Sequence, residues 1–168
     1  MYKKRIADIL LERKLAGKGA VLIEGPKWCG KTTTASMQAK SILDLGDSEI
    51  LKESKSMIEI SPRKLLEGET PRLIDEWQTL PALWDSIRNL VDKRQEVSQF
   101  ILTGSSVLPE AYETTHSGTG RIGRIRMRPM SLYESEESNG RVSLKNLFEG
   151  KDFEVQENSL TIDDIAFL

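Results

Sequence analysis

Short continuous apolar runs alternate along the chain with segments in which apolar residues recur at helical spacing. Runs of about five residues between turn-forming residues predict buried strands, whereas longer periodic segments predict helices that bury one face. Strands that alternate with helices predict a three-layer α/β fold, in which helices flank a mainly parallel five-stranded central sheet. The predicted strands are 20–23, 57–60, 72–75, 99–103 and 121–128, and the predicted helices are 6–13, 31–43, 62–67 and 79–94.

A glycine-rich segment joins the first predicted strand to the helix that follows it. Its sequence over 25–32, Gly-Pro-Lys-Trp-Cys-Gly-Lys-Thr, matches G-x-x-x-x-G-K-[ST] at every fixed position. Such a loop turns backbone N–H groups toward phosphate oxygens, at the positive end of a helix dipole. Lys31 is expected to reach the β- and γ-phosphates, and Thr32 to coordinate Mg²⁺. The residues predicted to bind nucleotide are Gly25, Pro26, Lys27, Trp28, Cys29, Gly30, Lys31, Thr32 and Thr33.

Trp28 and Cys29 occupy variable positions of this motif, so their roles stay open. Trp28 is expected either to pack on a neighbouring surface or to stack on the nucleotide or a partner. Cys29 is expected to be a loop residue whose alkylation blocks nucleotide entry, with a redox role as the lesser alternative. A glycine-rich turn without any ligand is the alternative to the whole site.

Two carboxylates follow the predicted strand 72–75 at its carboxyl end, where parallel sheets bind ligands. Asp75 is expected to hold Mg²⁺, and Glu76 to act as the general base on an attacking water. The glutamate favours hydrolysis of ATP, and no guanine-reading motif occurs in the chain. At the end of the next strand, Thr103 or Ser105 is expected to orient the water, unless these hydroxyls only cap a turn.

Four arginines crowd into 121–128, on the last predicted strand. Arg121 or Arg124 is the candidate arginine finger, acting in cis or across a subunit boundary in a homo-oligomer. The alternatives are a solvent-facing strand or a small nucleic-acid patch. The net charge of −2 weakens the nucleic-acid alternative, because binding to phosphate backbones depends on clustered Lys and Arg.

Composition narrows the class of protein further. No apolar run approaches the roughly 20 residues of a membrane helix, and the amino terminus lacks the apolar region of a signal peptide, so a cytoplasmic protein is expected. One cysteine and one histidine exclude an intrachain disulfide and a cysteine-based metal site. From Glu134 to Leu168 there are nine acidic and three basic residues. We therefore expect an ATPase core over 1–132 and an acidic extension over 133–168, the truncated start of a second domain.

Four separately placed motifs resemble one family, the prokaryotic AAA-superfamily, STAND-like P-loop ATPases with a C-terminal nuclease-like domain of unknown function. The motifs are residues 19–33, the Leu-Ile-Asp-Glu-Trp-Gln stretch at 73–78 with Leu-Pro at 80–81, Phe-Ile-Leu-Thr-Gly-Ser at 100–105, and 120–122 with 127–132. The resemblance implies an additional-strand P-loop core, in which the Thr103 strand lies between the strands that precede Lys31 and Glu76. It also implies ATP and Mg²⁺ as ligands, Asp75 and Glu76 as the Walker B pair, Thr103 or Ser105 as sensor and Arg121 as finger.

The leading functional hypothesis is binding and slow hydrolysis of ATP–Mg²⁺, as a nucleotide-dependent switch for a C-terminal effector domain that this chain lacks. The alternatives are a nucleotide-binding adaptor without turnover and a phosphotransferase that delivers the γ-phosphoryl group to an acceptor.

Overall fold

The computed structural model describes residues 2–104 and 120–152 and divides the chain into two compact units. The core unit is Ile6–Pro129, and the flanking unit combines Met1–Arg5 with Met130–Leu168. The core unit contains the helices α1 (Ile6–Leu15), α2 (Lys31–Ser36), α3 (Ser48–Ile60), α4 (Pro62–Leu65) and α5 (Leu83–Arg94), the strands β1 (Ala20–Glu24), β2 (Ser41–Asp44), β3 (Arg72–Asp75), β4 (Phe100–Gly104) and β5 (Ile122–Arg126), and a 3₁₀ helix (Trp77–Thr79).

All five strands form one parallel sheet in the order β2-β3-β4-β1-β5. This confirms the predicted three-layer α/β fold. Strand β4 lies between β1 and β3, with Leu22 opposite Leu102 and Ile74 also opposite Leu102. Since every strand runs the same way, the segments after β1, β3 and β4 all emerge at the carboxyl edge of the sheet. The phosphate-loop motif and the acidic pair therefore meet at that edge.

The sheet is buried on both faces, because successive side chains of each strand point to opposite sides. In β1, Ala20 and Leu22 join the core under α5, whereas Val21 and Ile23 join the core under α1. An apolar stripe on α5 packs against the first of these cores, and its members are Leu83, Trp84, Ile87, Leu90 and Val91. The second core buries Ala7, Leu11 and Leu15 of α1.

Two sequence predictions are wrong, and both fall between 31 and 60. The pattern predicts a helix over 31–43, but α2 ends at Ser36 and 41–44 form the edge strand β2. Strand β2 shows period-two burial, with Leu43 buried between the exposed residues Ile42 and Asp44. The three consecutive threonines of α2 are weak helix formers, which reduces the helical propensity of its first turn.

The predicted strand 57–60 is the last turn of the 13-residue helix α3. The helix begins at an Asp47 cap, whose Oδ1 accepts hydrogen bonds from Glu49 N at 2.8 Å and Ile50 N at 3.2 Å. One apolar face packs on the core through Ile50, Leu51 and Ile58. These three residues have helical spacing, but the four residues 57–60 form a short, mainly apolar run that, taken alone, is also typical of a strand.

The remaining boundaries differ by a few residues. The predicted helix 79–94 is shorter at its amino-terminal end. Residues 77–79 form a 3₁₀ helix, Pro81 follows it, and α5 begins at Leu83. Among the described residues, no helix is long and apolar enough to cross a membrane.

The flanking unit contains one helix, α6 (Leu144–Phe148), within its described residues. A buried ion pair joins its two chain segments, with Arg5 Nε 3.1 Å from Glu134 Oε1. The predicted domain boundary between 132 and 133 stays a prediction. Residues 153–168 of the predicted acidic extension lie outside the described part of the chain.

The cap of α3 can be tested by Asp47→Ala. The change removes both side-chain hydrogen bonds at the helix start, so the free energy of unfolding should fall by about 1 kcal/mol. Urea denaturation monitored by circular dichroism measures the loss. Glu53→Ala, in the exposed middle of the same helix, is the control and should stay within about 0.5 kcal/mol of the parent. Equal stability of the two variants would contradict a helix that begins at Ser48.

Candidate nucleotide site at the carboxyl edge of the sheet

The segment between β1 and α2 folds into a tight loop. Trp28 and Gly30 both have positive φ, at 67° and 92°, which turns the backbone sharply before the first residue of α2. Gly25 lies directly against the carbonyl oxygen of Met127, so that a Cβ at this position would collide with it. Two of the motif's glycines are therefore required for a steric reason that the structure shows directly.

Lys31, the first residue of α2, is buried beneath this loop. Its Nζ donates to the carbonyl oxygens of Gly25 at 3.0 Å and Pro26 at 2.8 Å. The hydrogen bonds hold the ammonium group inside the curve of the loop. A cation is thus present at the place where the sequence predicts phosphate binding.

The carboxylate of Asp75 joins three elements. Thr32 Oγ1, at the start of α2, donates to Asp75 Oδ1 at 2.9 Å. Thr103 Oγ1, near the end of β4, donates to the same oxygen. The two hydroxyls approach from different elements, so Asp75 fixes both of them at the end of β3. The structure therefore brings together three residues that the sequence predicts as site residues.

Electrostatics at Asp75 favour a bound cation. Burial raises the pKa of the Asp75 carboxyl, and the hydrogen bonds from Thr103 and Thr32 lower it in part. The neighbouring carboxylates of Asp44 and Glu76 raise it again. Asp44 stands opposite Asp75 in the β2–β3 register. A metal ion beside Asp75 would offset the desolvation and the repulsion together.

Glu76 follows β3 in the left-handed conformation, with φ 52° and ψ 42°. This conformation is uncommon for a residue with a side chain. The next turn is the 3₁₀ helix, from which Gln78 Nε2 donates to Glu76 Oε2. Glu76 therefore has its backbone and its carboxylate fixed by local structure.

A cavity of 450 Å³ opens over the phosphate loop. Residues of the loop, the start of α2 and Glu76 all line it, so a phosphate group in the cavity would share it with Lys31 and Glu76. Its lining residues are Lys27, Trp28, Gly30, Lys31, Thr32, Thr33 and Glu76. Donors from the loop, a buried ammonium group and a hydroxyl paired with a carboxylate are the groups that a nucleotide with Mg²⁺ requires, so the residues present fit this ligand.

The variable loop residues differ in their surroundings. Trp28 lines the cavity and is 99% exposed, which excludes packing against another described part of the core. Cys29 is buried, and its Sγ lies 4.0 Å from the carbonyl oxygen of Met127. The cysteine therefore belongs to the second core and does not line the cavity. Ser105 lies outside the described residues.

The candidate arginine fingers lie away from this cavity. Arg121 precedes β5 at the amino edge of the sheet, opposite to the phosphate loop, and pairs with Asp92. Arg124 lies in the middle of β5, with its Nη1 3.2 Å from Glu24 Oε1. Neither lines the cavity. Arg121 lies at the edge of the sheet opposite to its own loop, which argues against action in cis, and its role as a finger stays a prediction.

Sequence reasoning missed two residues of the site, Asp44 and Gln78. Asp44 was missed because the sequence pattern predicts a helix over 31–43 instead of the strand that ends at Asp44. The stretch Ile42-Leu43-Asp44 nevertheless repeats the apolar-apolar-acidic pattern of Leu73-Ile74-Asp75. Gln78 follows Glu76 by two residues, and only the 3₁₀ turn shows that its amide reaches back to the carboxylate.

Comparison with known proteins agrees with this geometry. A family model described as AAA domain matches residues 17–136, which include the loop, the acidic pair and β4. The chain belongs to the AAA domain family. AAA domains bind nucleotides, and the family includes ATPases, so membership indicates nucleotide binding and a possible ATPase activity.

Relatives of this AAA domain are longer proteins. Uncharacterized proteins of Mycobacterium bovis and Mycobacterium tuberculosis are each 27% identical over 134 residues, which are 79% of this chain and 30% of theirs. The chain thus spans about a third of the length of these relatives. Among solved structures, Caenorhabditis elegans PCH-2 is similar with a TM-score of 0.34 and 13% identity, over 74% of this chain and 41% of that one.

Asp75→Asn should raise the free energy of unfolding of this AAA domain at pH 7. The change removes a buried ionised carboxylate but keeps an oxygen that accepts from Thr32 and Thr103. The folded-state pKa of Asp75 lies above the ordinary value of 3.8. The difference in free energy of unfolding between the variant and the parent is therefore fully present above the raised pKa, and it disappears as the pH falls toward 3.8.

Urea unfolding of the parent and variant between about pH 4 and pH 8 measures this gap. Glu53→Gln, an exposed carboxylate on α3, is the matched control and should show no comparable gap. A variant that is less stable than the parent at pH 7 would show that the Asp75 charge is favourable in the free protein.

Proposed function

We propose that this AAA domain binds ATP with Mg²⁺ and hydrolyses it slowly, as a nucleotide-dependent switch for a C-terminal effector domain. The observation that carries the proposal is the convergence of Thr32 and Thr103 on one oxygen of Asp75, beside the loop that holds Lys31. A core with only a structural role has no need to bury a carboxylate at this edge.

Binding depends on the loop, Lys31, Thr32 and Asp75. The backbone N–H groups and the Lys31 ammonium hold the phosphates, after Lys31 exchanges its loop carbonyls for phosphate oxygens. No group of three or more His, Cys, Asp or Glu side chains within 2–104 and 120–152 could hold a metal alone. Thr32 and Asp75 are therefore the residues that would hold Mg²⁺ together with the phosphates. A bound Mg²⁺ would supply charge neutralisation on the phosphates.

Hydrolysis depends on Glu76 and Thr103. Glu76 lies on the cavity wall facing the loop, where its carboxylate can take a proton from the attacking water. Thr103 reaches the site from the neighbouring strand and holds Asp75 in place. The carboxylate on the cavity wall favours water as the acceptor, rather than the hydroxyl substrate of a phosphotransferase.

Slow turnover follows from the positions of the arginines. A finger that stabilises the transferring phosphoryl group accelerates hydrolysis by about 10³–10⁵-fold. Neither candidate finger, Arg121 or Arg124, lines the cavity, so we expect an isolated chain to lack this contribution. Arg121 or Arg124 of another copy would supply it, which makes a homo-oligomer part of the proposal.

The switch role is supported by the length of the relatives. This chain covers 30% of each mycobacterial protein, so the AAA domain of these relatives is joined to a larger part. By resemblance to the STAND-like family, we propose that this larger part includes a nuclease-like effector domain that the nucleotide state controls.

Two variants test binding and hydrolysis separately. Lys31→Ala removes the buried cation and should weaken ATP binding by about 10- to 100-fold, the loss of a charge-assisted interaction. Glu76→Gln should bind ATP normally but hydrolyse it about 10²–10⁴-fold more slowly. Calorimetry with ATP or GTP and Mg²⁺ measures binding, and phosphate release measures turnover.

Lys52→Ala, an exposed lysine on α3, is the control for Lys31. If Glu76→Gln hydrolyses ATP at the parent rate, Glu76 is not the base. If the parent binds ATP but releases no phosphate at any protein concentration, the chain is an adaptor instead.

Arginine action in trans predicts complementation between two inactive variants. Arg121→Ala keeps an intact loop, and Lys31→Ala keeps an intact arginine, so a mixture should hydrolyse ATP faster than either variant alone. The rate per chain of the parent should also rise with protein concentration. The same mixture made with Arg124→Ala shows which arginine acts, and a mixture without recovery would contradict the finger.

A further inference from the structure

One side chain next to the site has no role in the function proposed above. Gln78, on the 3₁₀ helix, donates from Nε2 to Glu76 Oε2, while its Oε1 is turned toward the end of β4. We propose that Gln78 is a positioning residue for Glu76, and that Gly104 is the residue that leaves room for it. The inference rests on the proposed role of Glu76 as the base.

The hydrogen bond leaves Glu76 suited to take a proton. Gln78 engages one carboxylate oxygen, and no other described side chain donates to this carboxylate. The second oxygen therefore keeps its capacity to accept a proton from water. An amide donor is neutral, so it orients the carboxylate without the strong loss of basicity that a lysine or arginine partner would cause.

Backbone structure alone leaves the Glu76 side chain free to rotate. Its left-handed conformation is uncommon for a residue with a side chain and directs the chain into the 3₁₀ turn, but it sets no side-chain torsion. A glutamate has three such torsions, and a base that samples several of them spends little time aimed at the water. The amide of Gln78 removes this freedom.

The other end of the amide shows that stability does not explain Gln78. Its Oε1 is buried and has no hydrogen-bond donor among the described residues. A buried acceptor without a donor is destabilising, and this cost offsets the hydrogen bond that Nε2 makes to Glu76, so an apolar side chain of the same length should leave the stability of the domain nearly unchanged. The free energy lost at Oε1 is consistent with a role for Nε2 at Glu76.

Gly104 sets the position of the amide from the neighbouring strand. A Cβ at residue 104 would lie 2.5 Å from Gln78 Oε1 and 2.9 Å from Trp77 Nε1. Any side chain there displaces Gln78 or the Trp77 ring. Trp77 is itself packed on Trp84, with ring centroids 4.9 Å apart, so the flexible amide is the group that moves. Gly104 therefore acts on Glu76 through Gln78.

Kinetics of Gln78→Met and Gly104→Ala test the inference. Each variant should lower kcat at least about tenfold, because Glu76 loses its orientation, while the Kd for ATP stays within about twofold. Gly17→Ala is the control glycine, because an added Cβ there meets nothing within 4 Å. In the Gln78→Met background, Gly104→Ala should have little further effect on kcat, and in the Glu76→Gln background neither change should have one.

Two measurements on the free protein separate positioning from a structural role. Gln78→Met should unfold close to the urea concentration of the parent, because it removes the unsatisfied acceptor together with the hydrogen bond to Glu76. In NMR spectra without nucleotide, the Gln78 side-chain amide signals should move on Glu76→Ala and on Gly104→Ala, and should not move on Gly17→Ala.

The outcomes distinguish this inference from the function on which it rests. Unchanged turnover in Glu76→Gln, or no turnover in the parent, overturns the proposed function and the inference together. If Glu76→Gln slows turnover as expected but Gln78→Met keeps the kcat of the parent, the inference alone is overturned. A Gln78→Met variant that loses stability, ATP affinity and kcat in parallel also overturns it, because that result assigns Gln78 to the structure.

Discussion

The site depends on one carboxylate oxygen that accepts two hydroxyl groups. Asp75 Oδ1 receives Thr32 from the start of α2 and Thr103 from β4, and so links three segments that are far apart in the sequence. Each segment reaches this point only because β4 lies between β1 and β3 in a parallel sheet. The sheet order and the hydrogen bonds at Asp75 therefore require each other. A different strand order would separate the hydroxyls from the carboxylate.

Groups of both charge types lie at this edge of the sheet. The Lys31 ammonium is held by loop carbonyls, while the carboxyl groups of Asp44 and Glu76 lie near that of Asp75. A ligand that presents anionic phosphates to the loop and a divalent cation to the carboxyl groups would interact favourably with both. This electrostatic pattern is one reason why we propose a nucleotide together with its metal as the ligand.

The sequence was informative where residues carry their own local signal. The phosphate loop, β1, β3, β4 and the α5 stripe each show a pattern that needs no knowledge of tertiary structure. Between 31 and 60 the decisive information is tertiary: β2 is a strand because Leu43 pairs beside β3, and α3 is a helix because its apolar face meets the core. Asp44 was missed for that reason. Gln78 was missed because a side-chain amide that reaches back two residues depends on a 3₁₀ turn.

Packing between the loop and β5 gives the proposed switch a physical route. Gly25 lies against the Met127 carbonyl, Cys29 Sγ is 4.0 Å from the same oxygen, and Met127 N donates to Glu24 O at 2.7 Å. The flanking unit resumes at Met130, three residues along the chain. Because there is no free space at Gly25, a loop that shifts on nucleotide binding must move Met127 with it. Close packing therefore links the conformation of the phosphate loop to the backbone that follows β5, within the core unit.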